Sequence, residues 1–430
     1  MKISNILHRI LVISSVFVVG STALIQTNAK ASNSDLAVYV ATNKANGNSL
    51  LGFRRTVKGE FERIGEFLTG GMGTGDLEIP ALKKDSTHPL ANGDDPLISG
   101  YGIIATDNNK YVLAVNAGDS TVSSLKVNND QSLTLINTVS AGDKFPISIA
   151  HSGEHVVVAS VGKDNNHGSI SAYLINNSGE LSAVLGSRRD LKARPSTVAF
   201  THDGRHLIVN ELVTGKIKVF SLEGHQLSSD PVSVINSPRA DDRFHAIPVG
   251  FDIAKGPDGD VILMSEARFL TPEFGLREEA NVVPQTPKYS WQTGSLSSYL
   301  VDKNGNINLV DGDVLTGTSV EGGEIANCWV ALSPDQHTLW AANALSSSIS
   351  SFTISDDGAA HLKNATAFKS IPELLFFSDM AVSDDGKTLF QLVGNTGQVM
   401  VFDIQENDDL NLNQTLSGLP KLGAYGLLLL

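Results

Sequence analysis

Short apolar runs alternate with small polar turns along most of the chain, and one stretch shows the rhythm in full. Between Val198 and Phe220, a first apolar run (Val198–Phe200) leads to a turn at Asp203-Gly204, and a second run (Leu207–Val209) follows. A loop carrying Asn210, Glu211 and Gly215 comes next, and an alternating segment, Ile217–Phe220, closes the stretch. Asp-Gly favours the positive φ angles of a tight hairpin turn, and alternation marks a strand with distinct faces. The stretch predicts three antiparallel strands.

The order recurs. First-strand signatures appear at Gly102–Ala105, Ser148–Ala150, Thr197–Phe200, Gly250–Ala254, Cys328–Ala331 and Asp379–Val382. Turns follow at Asn108-Asn109, Gly153-Glu154, Asp203-Gly204, Asp258-Gly259, Asp335-Gln336 and Asp385-Gly386. The marker alanines (Ala105, Ala150, Ala199, Ala254, Ala331, Ala381) lie 45, 49, 55, 77 and 50 residues apart. Each unit continues into a third strand, such as Val122–Leu125 or Val399–Phe402, and a polar outer one. Periods of this length with four strand signals are those of β-propeller blades.

Six units are complete. Before them lie three more strand signals, Ala37–Ala41, Leu50–Phe53 and Phe61–Phe67, and the innermost strand of that blade is expected from the carboxyl-terminal Gly426–Leu430. The predicted fold is an all-β, seven-bladed propeller of four-stranded antiparallel blades, closed by pairing the last strand into the first blade. Such closure removes an open sheet edge. Two inserts interrupt it. Residues 70–99 contain a Gly-Gly-Met-Gly-Thr-Gly run and are expected to form a flexible connection. Residues 268–294 account for the 77-residue spacing and are expected to form a lid or surface loop.

The amino terminus follows another pattern. Lys2 and Arg9 flank the start, Ile10–Ile25 is apolar or small, and Ala29-Lys30-Ala31 offers a cleavage site. Residues 1–31 therefore read as a secretory signal peptide, with residues 32–430 as one propeller domain, secreted or periplasmic, with no stable membrane insertion after cleavage. A net charge of −14 over 430 residues argues against nucleic acid as a partner. The single Cys328 permits neither an intrachain disulfide nor a cysteine-based zinc site, and reads as a small buried hydrophobe.

Candidate chemistry follows from geometry. The first strand of a blade begins, and the second ends, at one face around the central channel. That rule selects Arg194, His245, Asn327 and Asp379 at strand starts, and Asn116, Glu211, Glu266, Arg268 and Asn343 at strand ends. Glu211 and Glu266 each lie eight residues beyond their turn aspartates, Asp203 and Asp258, and so take equivalent places on adjacent blades. Paired carboxylates supply a general base or, with Asn oxygens, ligate a divalent cation. His151, His155, His202 and His206 fall around turns on the opposite face, where solvent exposure is expected, and the His202/His206 spacing straddles a turn instead of following a helix.

The repeats resemble the secreted branch of the lactonase-type seven-bladed propellers, which includes 6-phosphogluconolactonase and the fungal carboxymuconate lactonizing (cyclase) enzymes. The resemblance covers about Asp35–Leu430 and rests on Leu113–Gly118, Ala199–Gly204, Asn210–Leu212, Ser265–Ala267 and Asn327–Ala331. It implies lactone hydrolysis at the channel face, with Glu211 activating water and Arg194 or Arg268 stabilising the oxyanion. Glu266 lies near the place of a further family arginine. The family's Pro-His-Ser histidine falls on Ile147, and its Gly-Pro-Arg-His motif on Arg194-Pro195-Ser196-Thr197, so both motifs are altered. The expected functions are hydrolysis of a lactone or sugar-acid ester, or non-catalytic binding of a protein or glycan. A metal-dependent lactonase with Glu211, Glu266, Asn327 and Asp379 as ligands is a third reading. No cofactor or resident metal is expected, and the chain is expected to be a monomer.

Overall fold

The structure is a computed structural model. It describes residues 36–75, 97–238, 243–268, 292–317, 323–371 and 373–430, all within one compact unit, Asn33–Leu430. The expected signal at residues 1–31, the middle of the first insert and most of the second lie outside the described residues.

Seven antiparallel sheets form the blades of a propeller. The innermost strands are Ile103–Ala105, Pro146–Ser152, Pro195–Phe200, Ile247–Lys255, Asn327–Leu332, Phe377–Val382 and, for the first blade, Tyr425–Leu429. Each neighbours the next around a central axis, and Tyr425–Leu429 neighbours both the seventh and second blades, so the ring closes. The carboxyl-terminal strand pairs antiparallel with Ala37–Ala41, Val38 opposite Leu429 and Val40 opposite Leu427. In the third and fourth blades the outer edge is split between two short strands.

The blade turn recurs for a visible reason. Thr201 Oγ1 and the Arg205 amide both donate to Asp203 Oδ1, with Gly204 at φ 69°. Ser333 and His337 bond Asp335 in the same way, Ser383 and Lys387 bond Asp385, and Thr106 and Lys110 bond Asn108. A side-chain oxygen that accepts a turn amide fixes the hairpin, so this short motif marks the blades in sequence.

The core lies between blades. At the closure, Val38, Val40 and Leu51 of the first blade pack against Phe390, Leu392 and Val401 of the seventh. Burying side chains of this size contributes about 1.5–3 kcal/mol each, so closure is driven by packing as well as by the strand ladder.

Two expectations are corrected here. The described ends of the first insert are not a flexible connection. The Asn43 side chain donates to Thr74 Oγ1 and accepts the Thr74 amide, while the Gly75 amide donates to the Asn43 carbonyl and the Gly118 amide to that of Met72. A Cβ on Gly73 would lie 2.2 Å from the Asn43 backbone, and one on Gly71 would lie 2.4 Å from Asn116. Close packing, not mobility, accounts for these glycines. Among the histidines, His206 is buried rather than exposed, its ring against Gly305 of the next blade's outer hairpin, and the His151 ring is covered beside Asp107 of the preceding blade's turn.

The other end of the insert enters the channel. The Leu97 carbonyl accepts from Arg194, that of Ile98 from Ser196 and that of Ser99 from the Trp329 indole at 3.1 Å. Ser99 Oγ donates to the Ile147 carbonyl, the Gly100 amide to Thr197 Oγ1 and the Tyr101 hydroxyl to the Phe251 carbonyl. Residues 97–101 are thus bound to blades three, four, five and six at once. Ile98 and Tyr101 sit at φ 53° and 59°. That conformation is unfavourable for a β-branched residue and persists only where its surroundings over-determine it.

Candidate functional site

Strand pairing places Glu211 opposite Pro195 and Glu266 opposite Pro248, so the two carboxylates hold equivalent positions on the fourth and fifth blades, as the spacing implies. Asn343 faces Asn327 on the sixth blade. Side chains alternate along each second strand. Asn210 therefore points toward the next blade, donating to the Pro248 and Val249 carbonyls, while Glu211 points the other way. That alternation sends the strand-end residues into the spaces between blades. All of Asn116, Arg194, Glu211, Glu266, Arg268, Asn327 and Asn343 are buried.

Each carboxylate there holds its own cation. Glu211 forms an ion pair with Lys218 and accepts from Thr214. Glu266 Oε2 accepts from Arg268 Nη2 at 2.7 Å and from Ser295 at 2.8 Å. Arg268 also donates to the Phe244 and Pro238 carbonyls and lies 3.1 Å from Asp313, which in turn pairs with Arg243 at 3.0 Å. On the sixth blade Glu324 pairs with Lys369 at 2.9 Å and accepts from Ser348. Burial pushes the Glu324 carboxyl above its ordinary range, against the opposing pull of Ser348 and Lys369. Removing charge from water costs several kcal/mol per ion, and these local pairs are the compensation.

The remaining candidates bond within or between blades. Asn116 accepts from Asn48 and Thr69 of the first blade and donates to Thr121 and Ser123. Asn343 donates to Ser348 and Ser350, and Asn327 donates to the Ser295 carbonyl. Asp379 accepts the Gly426 amide at 2.7 Å, linking the innermost strands of the seventh and first blades. His245 is half-buried, its ring over Gly215, where a Cβ would come within 2.9 Å of Nε2. Cys328 is buried and unbridged. Lower in the channel, Asp252 accepts amides from Ile253 and Leu332, and its carboxyl is pushed up by burial.

The partners Lys218, Arg243, Asp313, Glu324 and Lys369 escape the strand-end rule. Lys218 and Lys369 stand between or beside apolar strand residues, as in Ile217-Lys218-Val219, but no common sequence signal marks the set. In chemical terms the arrangement neutralises buried charge in the fourth, fifth and sixth blades. Arg194 and Glu211 adjoin through the backbone, but the guanidinium turns to Leu97 while the carboxylate turns to Lys218. The oxyanion-stabilising and base pairing implied by the resemblance is not assembled by these contacts.

Strand pairing and the contacts between blades define a closed seven-bladed β-propeller of four-stranded antiparallel blades. Solved structures that it resembles include a Bacteroides fragilis protein described as a candidate 6-phosphogluconolactonase, at 17% identity over 92% of this chain and 98% of that one, with a TM-score of 0.59. A periplasmic gluconolactonase from Pseudomonas aeruginosa matches at 13% identity over 90% of this chain and 98% of that one, TM-score 0.56. A hypothetical selenium-binding protein from Sulfolobus tokodaii matches at 9% identity over 92% and 93%, TM-score 0.61. At these identities the likeness is one of fold, which several functions share. No protein-family model and no curated protein matches the chain. Among the described residues, no helix is long and apolar enough to cross a membrane.

Proposed function

We propose that the chain is an exported, non-catalytic propeller that binds a protein or glycan ligand, and that Glu211 and Glu266 serve its architecture instead of lactone chemistry. The observation that carries this reading is the channel axis, filled by Leu97–Tyr101 with hydrogen bonds to four blades. The pairing of Glu211 with Lys218 and of Glu266 with Arg268 adds to it. A general base must have a lone pair available to water, and these oxygens face cations and hydroxyls. The metal-dependent reading loses support on the same ground, since Glu211 and Glu266 are paired with Lys218 and Arg268, and Asp379 accepts the Gly426 amide of the neighbouring blade.

A second reading, hydrolysis of a lactone or sugar-acid ester, draws on the fold neighbours and on Glu211 standing where the resemblance puts a functional glutamate. A panel of aldonolactones and phosphorylated lactones, with and without chelator, separates the two. The binding reading expects no opening above the uncatalysed rate, in the parent or in Glu211→Gln. Turnover by the parent that disappears in a folded Glu211→Gln would install the hydrolase in its place. Export is tested by sequencing the mature amino terminus, expected near Ser32.

A further inference from the structure

Two tight hairpins from neighbouring blades meet on the face away from the strand-end residues. One, in the third blade, turns through Gly153-Glu154 and pairs Ser152 with His155. The other, in the fourth, turns through Gly224-His225 and pairs Glu223 with Gln226. Gly153 and Gly224 sit at φ 60° and 62°, so both turns are held in the left-handed region that glycine favours. They bring His155 Nε2 to 3.0 Å from His225 Nδ1, and Glu154 Oε1 to 3.7 Å from the same Nδ1. All three atoms lie within 4.8 Å of one another.

We propose that Glu154, His155 and His225 form a site for a borderline divalent transition ion, with zinc as the reference, whose fourth position faces solvent. Ligand atoms around tetrahedral zinc, with bonds of about 2.0–2.1 Å, stand roughly 3.3 Å apart. The observed 3.0 and 3.7 Å bracket that value and the third separation is within 4.8 Å, so occupancy requires only local adjustment of side chains that are exposed or half-buried. Two imidazoles and one carboxylate suit zinc, copper or nickel; magnesium and calcium prefer all-oxygen shells.

The frame is built without the ion. Arg189 of the third blade donates to the Leu227 and Ser228 carbonyls at 2.6 and 3.0 Å, and Gln226 returns a bond to the Leu185 carbonyl. The Ile175 amide holds the Glu154 carbonyl at 2.9 Å. A bound ion would therefore tie two blades already in register, and leave one coordination position for water or for a donor group of a partner.

The test uses the untagged full chain, stripped with chelator and titrated with zinc chloride by calorimetry, and with cobalt(II) followed by visible absorption. One zinc per chain, a tetrahedral cobalt band and a higher melting temperature with zinc are expected. His155→Ala and His225→Ala should each abolish the one-to-one event and the cobalt band, while their metal-free circular dichroism and melting match the parent. No saturable binding by the parent, or unchanged stoichiometry and spectrum in the double variant, would overturn the site.

Discussion

Glu266 and Arg268, two residues apart at the end of one strand, face each other at 2.7 Å with neither side chain reaching solvent. Removing one member of such a pair leaves the other charge buried without compensation, at a cost of about 3–5 kcal/mol. Arg268→Leu is expected to lower the unfolding free energy by that order, read as a reduced urea midpoint with an unchanged slope, whereas exposed Arg54→Leu, paired with Glu62 at the surface, should change that free energy by less than about 1 kcal/mol.

The filled channel makes a separate prediction. Trp329→Phe keeps an aromatic ring beside Phe376 but removes the donor to the Ser99 carbonyl. A single hydrogen bond of this kind is worth about 1 kcal/mol, or 1–3 kcal/mol when its buried partner is left unsatisfied. Tyr101→Ala removes both the ring packed edge-on against Phe251 and the bond to its carbonyl, and should cost about 3–5 kcal/mol. Chemical denaturation followed by tryptophan fluorescence measures both.

Closure can be tested at the carboxyl terminus. The Tyr425 hydroxyl bonds the Val115 carbonyl, and Asn48 donates to it, so that one residue joins the first and second blades. Tyr425→Phe should lose about 1–2 kcal/mol. Deleting residues 425–430 exposes the edge of Ala37–Ala41, and should make the protein more prone to association than the parent, seen by light scattering.

Acid should weaken the fold through the blade turns. Asp203 is held down to about 2: burial opposes this, but the Arg205 amide, Thr201 hydroxyl and Arg205 guanidinium outweigh it. Asp335 is lowered by Ser333 and the His337 amide in the same way. With an unfolded value of about 3.9, the native state binds fewer protons than the unfolded one between the two. Their stabilisation is then complete above about pH 4 and is lost as pH falls toward 2. Urea unfolding at stepped pH should show a shallower acid decline in Asp203→Asn than in the parent.

Much of the fold was legible because its signals are local. Asp203-Gly204 and its counterparts turn the chain by bonds within five residues, and the alternation of Ile217–Phe220 follows from a period-two backbone. The expectation that Gly426–Leu430 completes the first blade met a strand at Tyr425–Leu429. The equivalence of Glu211 and Glu266 was legible too, since equal distance from a turn means equal height on a strand.

What those carboxylates face was settled only in three dimensions. Strand alternation, with the register shifts near Pro195 and Pro248, turns them from the channel into the spaces between blades. The charge that compensates Glu211 comes from the third strand, at Lys218, and that of Glu266 from Arg268, which Asp313 of the fourth strand approaches in turn. Residues 97–101 fill the axis largely through backbone carbonyls and amides, groups that every residue carries and no sequence pattern reports. His225 reaches Glu154 and His155 across 70 residues for a similar reason: the spacing of blades around the ring, not the order of residues along the chain, sets which side chains meet.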